Sequence, residues 1–245
     1  MQLPPPPDEE RNSMKTPNIL MIVTSSSRMG DTDKPTGLWA EELAAPYYAL
    51  VDAGASVVIA STAGGRAPID PGSVKAQGQN DAIVERMLAD AELQQRIAQT
   101  LPLGQVKVDA FDAVFFPGGH GTMWDLPTDA NVKATVEAAF GAGKYIASVC
   151  HGAAGLVSAV RADGKPMVAG KRVNSFTDAE EREVGLAEVV PFLLESRLRE
   201  LGGIFEGADN WQVFAVRDGQ LITGQNPQSS ERVAQVLLEA LGMAA

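Results

Sequence analysis

The residues best equipped for chemistry are Cys150 and His151, adjacent in Ser148-Val-Cys-His-Gly-Ala-Ala154. An apolar strand running into a helix of small residues makes a sharp turn there. Such a turn leaves its central side chain exposed, as in a nucleophile elbow. The positive N-terminal end of the following helix favours thiolate, so Cys150 is expected to ionise below the free-thiol value of about 8.5. A buried, inert cysteine is the competing reading and a common fate of the residue. The strand-end position, the adjacent histidine and the glycine-rich turn weigh against it. A second segment, Pro117-Gly-Gly-His-Gly-Thr122, also follows an apolar run. Its Gly118-Gly119 pair can aim backbone N–H groups at a reacting oxygen and, with the N–H of His151, build an oxyanion hole. On its own the pair is equally a plain turn. No Gly-Lys-Ser/Thr follows, which excludes a nucleotide-binding P-loop.

Both segments need strands to present them. Asn18 to Thr24 and Ala55 to Ala60 read as buried strands joined by a helix over Gly37 to Ala53, which Gly54 ends in the C-cap manner. This β-α-β order predicts a parallel sheet with a right-handed crossover. Residues 62–108 break the rhythm: a glycine- and proline-marked loop is followed by a polar, amphipathic helix over Asp81 to Gln99. The segment reads as an insertion over the sheet edge and a candidate lid. Ala113 to Pro117 and Tyr145 to Val149 are further strands, with a helix near Asn131 to Ala142 between them. Strands are expected over Val168 to Val173, Trp211 to Val216 and Gln220 to Thr223, the last two forming a hairpin about Asp218-Gly219. Helices are expected over Val189 to Leu201 and Ser230 to Leu241. The fold class is α/β, a three-layer sandwich with a mostly parallel central sheet, organised as one domain over 17–245. In open parallel sheets ligands bind outside the carboxyl ends of the strands, where the cysteine and glycine segments fall.

Composition narrows the function classes. The chain has 245 residues and a net charge of -11, with no basic cluster, which argues against nucleic-acid and anionic-membrane surfaces. No apolar stretch approaches the about 20 residues that span a bilayer. The first residues, Met1-Gln-Leu-Pro-Pro-Pro-Pro-Asp-Glu-Glu, lack the cationic start and apolar run of a secretory signal. Residues 1–16 read as a disordered tail, and translation could begin at Met14. A single cysteine excludes an intrachain disulfide and fits a reducing compartment, so the expected location is cytoplasmic. It also excludes a four-cysteine or two-cysteine, two-histidine zinc site, and His120 and His151 are the only histidines.

Phe-Pro-Gly-Gly-His-Gly-Thr (116–122), Val-Cys-His-Gly (149–152) and Thr-Gly-Leu-Trp-Ala-Glu-Glu-Leu-Ala-Ala-Pro (36–46) occur in an order that resembles the ThiJ/PfpI superfamily. The likeness is to its heat-shock-protein-31 branch, the glutathione-independent glyoxalase III enzymes, and covers roughly 17–243. It implies a flavodoxin-like, class I glutamine-amidotransferase-like fold. It implies a triad of Cys150, His151 and Glu181, with Glu42 against the thiol and Gly119 supplying the oxyanion N–H. Ser175 stands where a glycine is usual, and Glu180 adjoins Glu181 as the alternative acid. Without the resemblance, Glu180 and Glu181 read as a solvated acidic run and Glu41 as a solvent-facing helix residue. Trp39 and Trp124 are candidates for a pocket mouth or for packing, and His120 for a substrate contact or a loop residue. Larger bacterial members carry a two-histidine, one-carboxylate metal site. Here both histidines sit in the active-site motifs, so no metal is expected.

The implied reaction converts a small 2-oxoaldehyde such as methylglyoxal to a 2-hydroxy acid, D-lactate, through the cysteine, without cofactor or glutathione. A charged Glu42 would oppose the thiolate, whereas a protonated one could donate a hydrogen bond to sulfur. The resemblance and the prevalence of cyclic dimers imply a homodimer. The rivals are a cysteine hydrolase of amides, peptides or glycated protein, a holdase chaperone, and a redox sensor acting through Cys150. A glutaminase-like triad needs a histidine far downstream of the cysteine, and none follows His151.

Overall fold

Alternation along the first strand sets the layers. In β1 (Asn18–Val23), Ile19, Met21 and Val23 enter one core cluster, while Leu20 and Ile22 enter the other. Successive side chains of a strand point to opposite faces. A strand apolar on both therefore has to be covered twice, which makes β1 a central strand of a layered fold. The computed structural model describes residues 16–243, and the tail expected over 1–16, with Met14, lies outside them apart from Thr16.

The first cluster lies beneath α1 (Ala40–Asp52), α2 (Ala82–Ala89), α3 (Ala91–Ala98) and α8 (Ser230–Ala240). The second lies beneath α4 (Thr122–Asp125), α5 (Ala130–Gly141) and α7 (Leu194–Glu200). Between them runs a seven-stranded sheet in the order β3-β2-β1-β4-β5-β9-β8. Its further members are β2 (Ser56–Ser61), β3 (Leu101–Pro102), β4 (Ala113–Phe116), β5 (Tyr145–Val149), β8 (Ala215–Asp218) and β9 (Leu221–Gly224). Every pairing is parallel except the β8–β9 hairpin at Asp218-Gly219. This is the expected α/β sandwich. Among the described residues no helix is long and apolar enough to cross a membrane.

Several segments differ from expectation for local reasons. Residues 62–108 are built into the core, where Val84, Met87, Leu93 and Ile97 are buried with α1, and they contribute edge strand β3. Val168 to Val173 is strand only at β6 (Arg172–Val173), which pairs with β7 (Ile204–Phe205) in a separate two-stranded sheet. Extension does not begin at Trp211, because its φ of 64° is left-handed. The helix expected over 81–99 breaks at Asp90, whose carboxylate accepts from the N–H groups of Glu92 and Leu93, both at 3.0 Å, and from Tyr48 Oη at 2.9 Å. An aspartate that caps a new helix competes with continuation of the old one. Asp90→Ala is therefore expected to lower the unfolding free energy by about 1–2 kcal/mol, read from urea denaturation. An unchanged midpoint would mean that the cap does not hold this corner.

Candidate active site

Strand order explains why distant motifs meet. From β1 the chain runs outward through β2 to β3, then returns to β4 and proceeds the other way to β5. The carboxyl ends of β1, β4 and β5 thus flank a switch point, where a crevice opens. Cys150 directly follows β5 with φ 56° and begins a short 3-10 turn over Cys150–Leu156, not an α-helix. Left-handed backbone is strained for a side chain larger than glycine and has to be held by its surroundings. Two glycines allow close approach around this turn: a Cβ at Gly152 would lie 2.1 Å from the carbonyl oxygen of Phe116, and one at Gly118 would lie 2.5 Å from Glu42 Oε2.

Cys150 Sγ lies 3.3 Å from His151 Nδ1, and His151 Nε2 lies 2.7 Å from Glu181 Oε2. The second carboxylate oxygen takes His120 Nε2 at 2.8 Å. Glu181 stands in α6 (Asp178–Glu183) and is almost wholly buried, as are both histidines. Burial works to raise its pKa, yet the two imidazoles outweigh that and hold it at about 2. A carboxylate only accepts hydrogen bonds, so both Nε2 atoms carry protons. The Nδ1 of His151 is then a lone pair directed at sulfur. Burial first, and then His120, lower the pKa of His151, keeping it a neutral base.

On the other side of the sulfur, Glu42 is fully buried in the first turns of α1. Its Oε2 accepts from the N–H of Gly118 at 2.9 Å, and its Oε1 has no hydrogen-bond partner among the described residues. The carboxyl lies beside the Cys150 thiol. Burial pushes Glu42 up to about 8, although those two contacts pull it down. The carboxyl is therefore mostly protonated at neutral pH. The expected low-pKa thiol is not found. With Cys150 only 3% exposed, desolvation and then Glu42 raise its pKa, and the N–H of His151, which reaches the sulfur, does not offset them. The resting nucleophile is a thiol.

A cavity of about 230 Å³ opens over this cluster, and Trp39, Gly119, His120, Cys150 and His151 line it. Gly119 adopts φ 105°. Trp124 is not at the mouth; it packs against the second core cluster, near Gly30. Glu41 is half-buried. The expected solvated carboxylate at Glu180 is likewise overturned, because it is 0% exposed and forms the capping box of α6 with Thr177. Phe176 and Trp211 also line the cavity, and the sequence reading passed over both. Phe176 stacks on His151 with centroids 4.5 Å apart. Its place next to Ser175 and five residues before Glu181 was an available signal for it, whereas nothing local marked Trp211.

Donor atoms of His120, His151 and Glu181 lie within 4.8 Å of one another, compact enough for a metal ion. Both carboxylate oxygens, however, already accept an imidazole N–H. A metal would have to displace both protons and both hydrogen bonds, dismantling the link from Glu181 to Cys150. The donor set suits proton transfer better than coordination.

The sequence profile of the DJ-1/PfpI family matches residues 36–240, and the chain belongs to that family. Glyoxalase 3 of Candida albicans is 25% identical over 91% of this chain and 97% of its own length. The glutathione-independent glyoxalase hsp3101 of Schizosaccharomyces pombe is 27% identical over 83% of this chain and 87% of its own. The crystal structure of the 24-kDa Rapid Encystment Protein of Francisella tularensis superposes with a TM-score of 0.88 at 38% identity, covering 92% of this chain and 99% of that one.

A buried acid on one side of the sulfur and a histidine on the other make its titration informative. Alkylation of Cys150 against pH is expected to show a midpoint above the free-thiol value of about 8.5. Glu42→Gln removes the charge that opposes the thiolate above pH 8 or so, and the midpoint should move down. A wild-type midpoint below the free value, or an upward move in the variant, would contradict this account of the site.

Proposed function

We propose that the protein is a glutathione-independent glyoxalase of the III type, converting 2-oxoaldehydes such as methylglyoxal to 2-hydroxy acids, D-lactate in that case. The observation that carries the reading is the second proton carrier, Glu42, raised to about 8 on one side of the sulfur while His151 Nδ1 stands 3.3 Å away on the other. Acyl hydrolysis needs one shuttle between nucleophile and leaving group. Moving hydrogen from one carbon to its neighbour needs another, poised near neutrality. The glyoxalase names of the Candida and Schizosaccharomyces relatives support the same class.

In this mechanism Cys150 gives its proton to His151, and sulfur attacks the aldehyde carbon. The new alkoxide takes the proton of Glu42 and leaves a neutral hemithioacetal, its oxygen held by the N–H of Gly119. Glu42, now a carboxylate, removes the hydrogen on that carbon, while His151 protonates the ketone oxygen to give an enediol. Glu42 returns its proton to the second carbon as His151 takes the first hydroxyl's proton, forming a thioester. Glu42 then deprotonates water, which attacks the thioester; sulfur leaves and recovers its proton from His151. The first carbon is oxidised and the second reduced within one molecule, with water added, so no external oxidant enters. Glu181 orients His151 and stabilises its cation in each half.

Purified protein should form D-lactate from methylglyoxal without glutathione, with little effect of a chelator. Cys150→Ala should lower the rate by about 10³-fold or more, as loss of a triad nucleophile does. Glu181→Gln, which keeps the shape and loses the charge, should cost about 10²-fold. Substantial turnover by Cys150→Ala would remove the cysteine from the mechanism.

A further inference from the structure

Methylglyoxal does not account for the cavity. Its volume of about 230 Å³ would hold seven or eight waters at about 30 Å³ each, more than a three-carbon molecule occupies. Beyond the reacting groups, the lining is mainly apolar and includes Phe176, Val184, Leu186, Trp211 and Pro227. Among the described residues no lysine or arginine lines it, and Asp70 does, so no fixed cation there would neutralise an anionic substituent.

One buried carboxylate fastens this wall from behind. Glu180 Oε2 accepts from the N–H and the hydroxyl of Thr177, both at 3.0 Å, next to Phe176. Its Oε1 accepts from the N–H of Trp211 at 2.9 Å and from Asn226 Nδ2 at 2.8 Å, next to Pro227. Gln225 Nε2 adds a contact at 3.1 Å. Trp211 is in left-handed backbone, which a bulky residue adopts only when its surroundings impose it. Its indole N–H donates to Glu183 Oε1 at 2.9 Å, and its ring meets Phe176 at 5.6 Å between centroids. Strain held this firmly on one lining aromatic points to a requirement for its ring at that place.

We propose that Phe176, Val184, Leu186 and Trp211 form a subsite for a neutral, apolar substituent, with Glu180 as the residue that positions its wall, and that the substrate is a 2-oxoaldehyde bearing an aryl group. The reaction class rests on the proposed function above; the subsite does not. An aryl ring at the ketone carbon would displace water from apolar walls while the aldehyde stays within reach of Cys150. A carboxylated or phosphorylated analogue would meet Asp70 with no lysine or arginine to balance its charge.

Two measurements separate the subsite from the reaction. The first compares alkylation of Cys150 by phenacyl bromide, iodoacetamide and iodoacetate, each rate divided by that of N-acetylcysteine at the same pH. With each reagent a sulfur–carbon bond forms, the carbon–halogen bond breaks to release halide, and the thiol proton passes to His151 and then to solvent, with no turnover required. The normalised rate should be highest for phenacyl bromide, by about 10-fold over iodoacetamide, as an apolar group in a fitting pocket provides. Iodoacetate should be slowest. Trp211→Ala and Glu180→Gln should remove most of the preference, and Trp211→Phe should keep much of it. The second compares kcat/KM for phenylglyoxal and methylglyoxal, expected to favour phenylglyoxal by about 10-fold. Aryl preference in alkylation without turnover of either aldehyde supports the subsite and overturns the reaction. Turnover of both aldehydes with no aryl preference in alkylation, or a preference that survives Trp211→Ala, overturns the subsite and leaves the reaction standing.

Discussion

The site depends on one carboxylate whose two oxygens are each spent on an imidazole. Glu181 binds His151 through Oε2 and His120 through Oε1, inside the protein and with its charge intact. Charge-assisted hydrogen bonds of this kind are stronger and more directional than neutral ones, and a dry surrounding strengthens them further. Fixing both Nε2 atoms as donors leaves His151 one way to face the sulfur, with a lone pair. Without Glu181, nothing would fix which nitrogen of each ring faces the other, the two rings standing 4.1 Å apart between centroids. The neighbouring acid serves a different end because successive helix residues point about 100° apart. Glu180 turns away from the histidines into its own capping box and into the loops beyond.

Burial that sharpens this chemistry also opposes folding, and the two acids do so with opposite sign. Glu42 is raised from 4.5 to about 8, so the folded chain holds a proton that the unfolded chain releases. Its contribution to stability is fully present below the unfolded value and falls away as pH rises through about 8. Glu181 is depressed to about 2, so its contribution is present above 4.5 and is lost as pH falls toward 2. Between those limits the fold carries one carboxylate and one carboxylic acid in the same dry space. That asymmetry gives the site a charge stabiliser and a proton donor from chemically identical side chains, distinguished by their neighbours.

Much of this was legible in the sequence. The elbow at Cys150, the glycine segment at 118–119, β5 and the hairpin at Asp218-Gly219 all follow from local pattern: apolar runs, turn residues and strand ends. What escaped depended on distant partners. Glu180 resembles a surface acid until Thr177, Trp211, Gln225 and Asn226 converge on it. The thiol's pKa was misjudged because the turn's positive end is a sequence feature, whereas the desolvation that overrides it arises only when α1 and β4 close over β5. Trp124 and Trp211 have the same side chain, yet one packs in the core and the other lines the cavity, and residue type alone could not sort them.

Topology also divides the site into two parts of different origin. The reacting groups come from the carboxyl ends of β4 and β5 and from the helix that follows β1, where paired strands hold them against the switch point, with Glu181 added from α6. The apolar wall comes from segments after β5, around Phe176, Trp211 and Pro227, which lie outside the strands. Backbone there has no ladder to fix it, so a buried acceptor has to supply the order that hydrogen-bonded strands supply elsewhere. Glu180 meets that need for three separate segments at once. A scaffold arranged in this way can vary most of the wall while leaving the nucleophile, its base and its acid untouched, because the contacts between them run through Phe176, which meets His151, His120 and the Cys150 carbonyl, and through the helix shared by Glu180 and Glu181. Those two links are where a change in specificity would also disturb the chemistry.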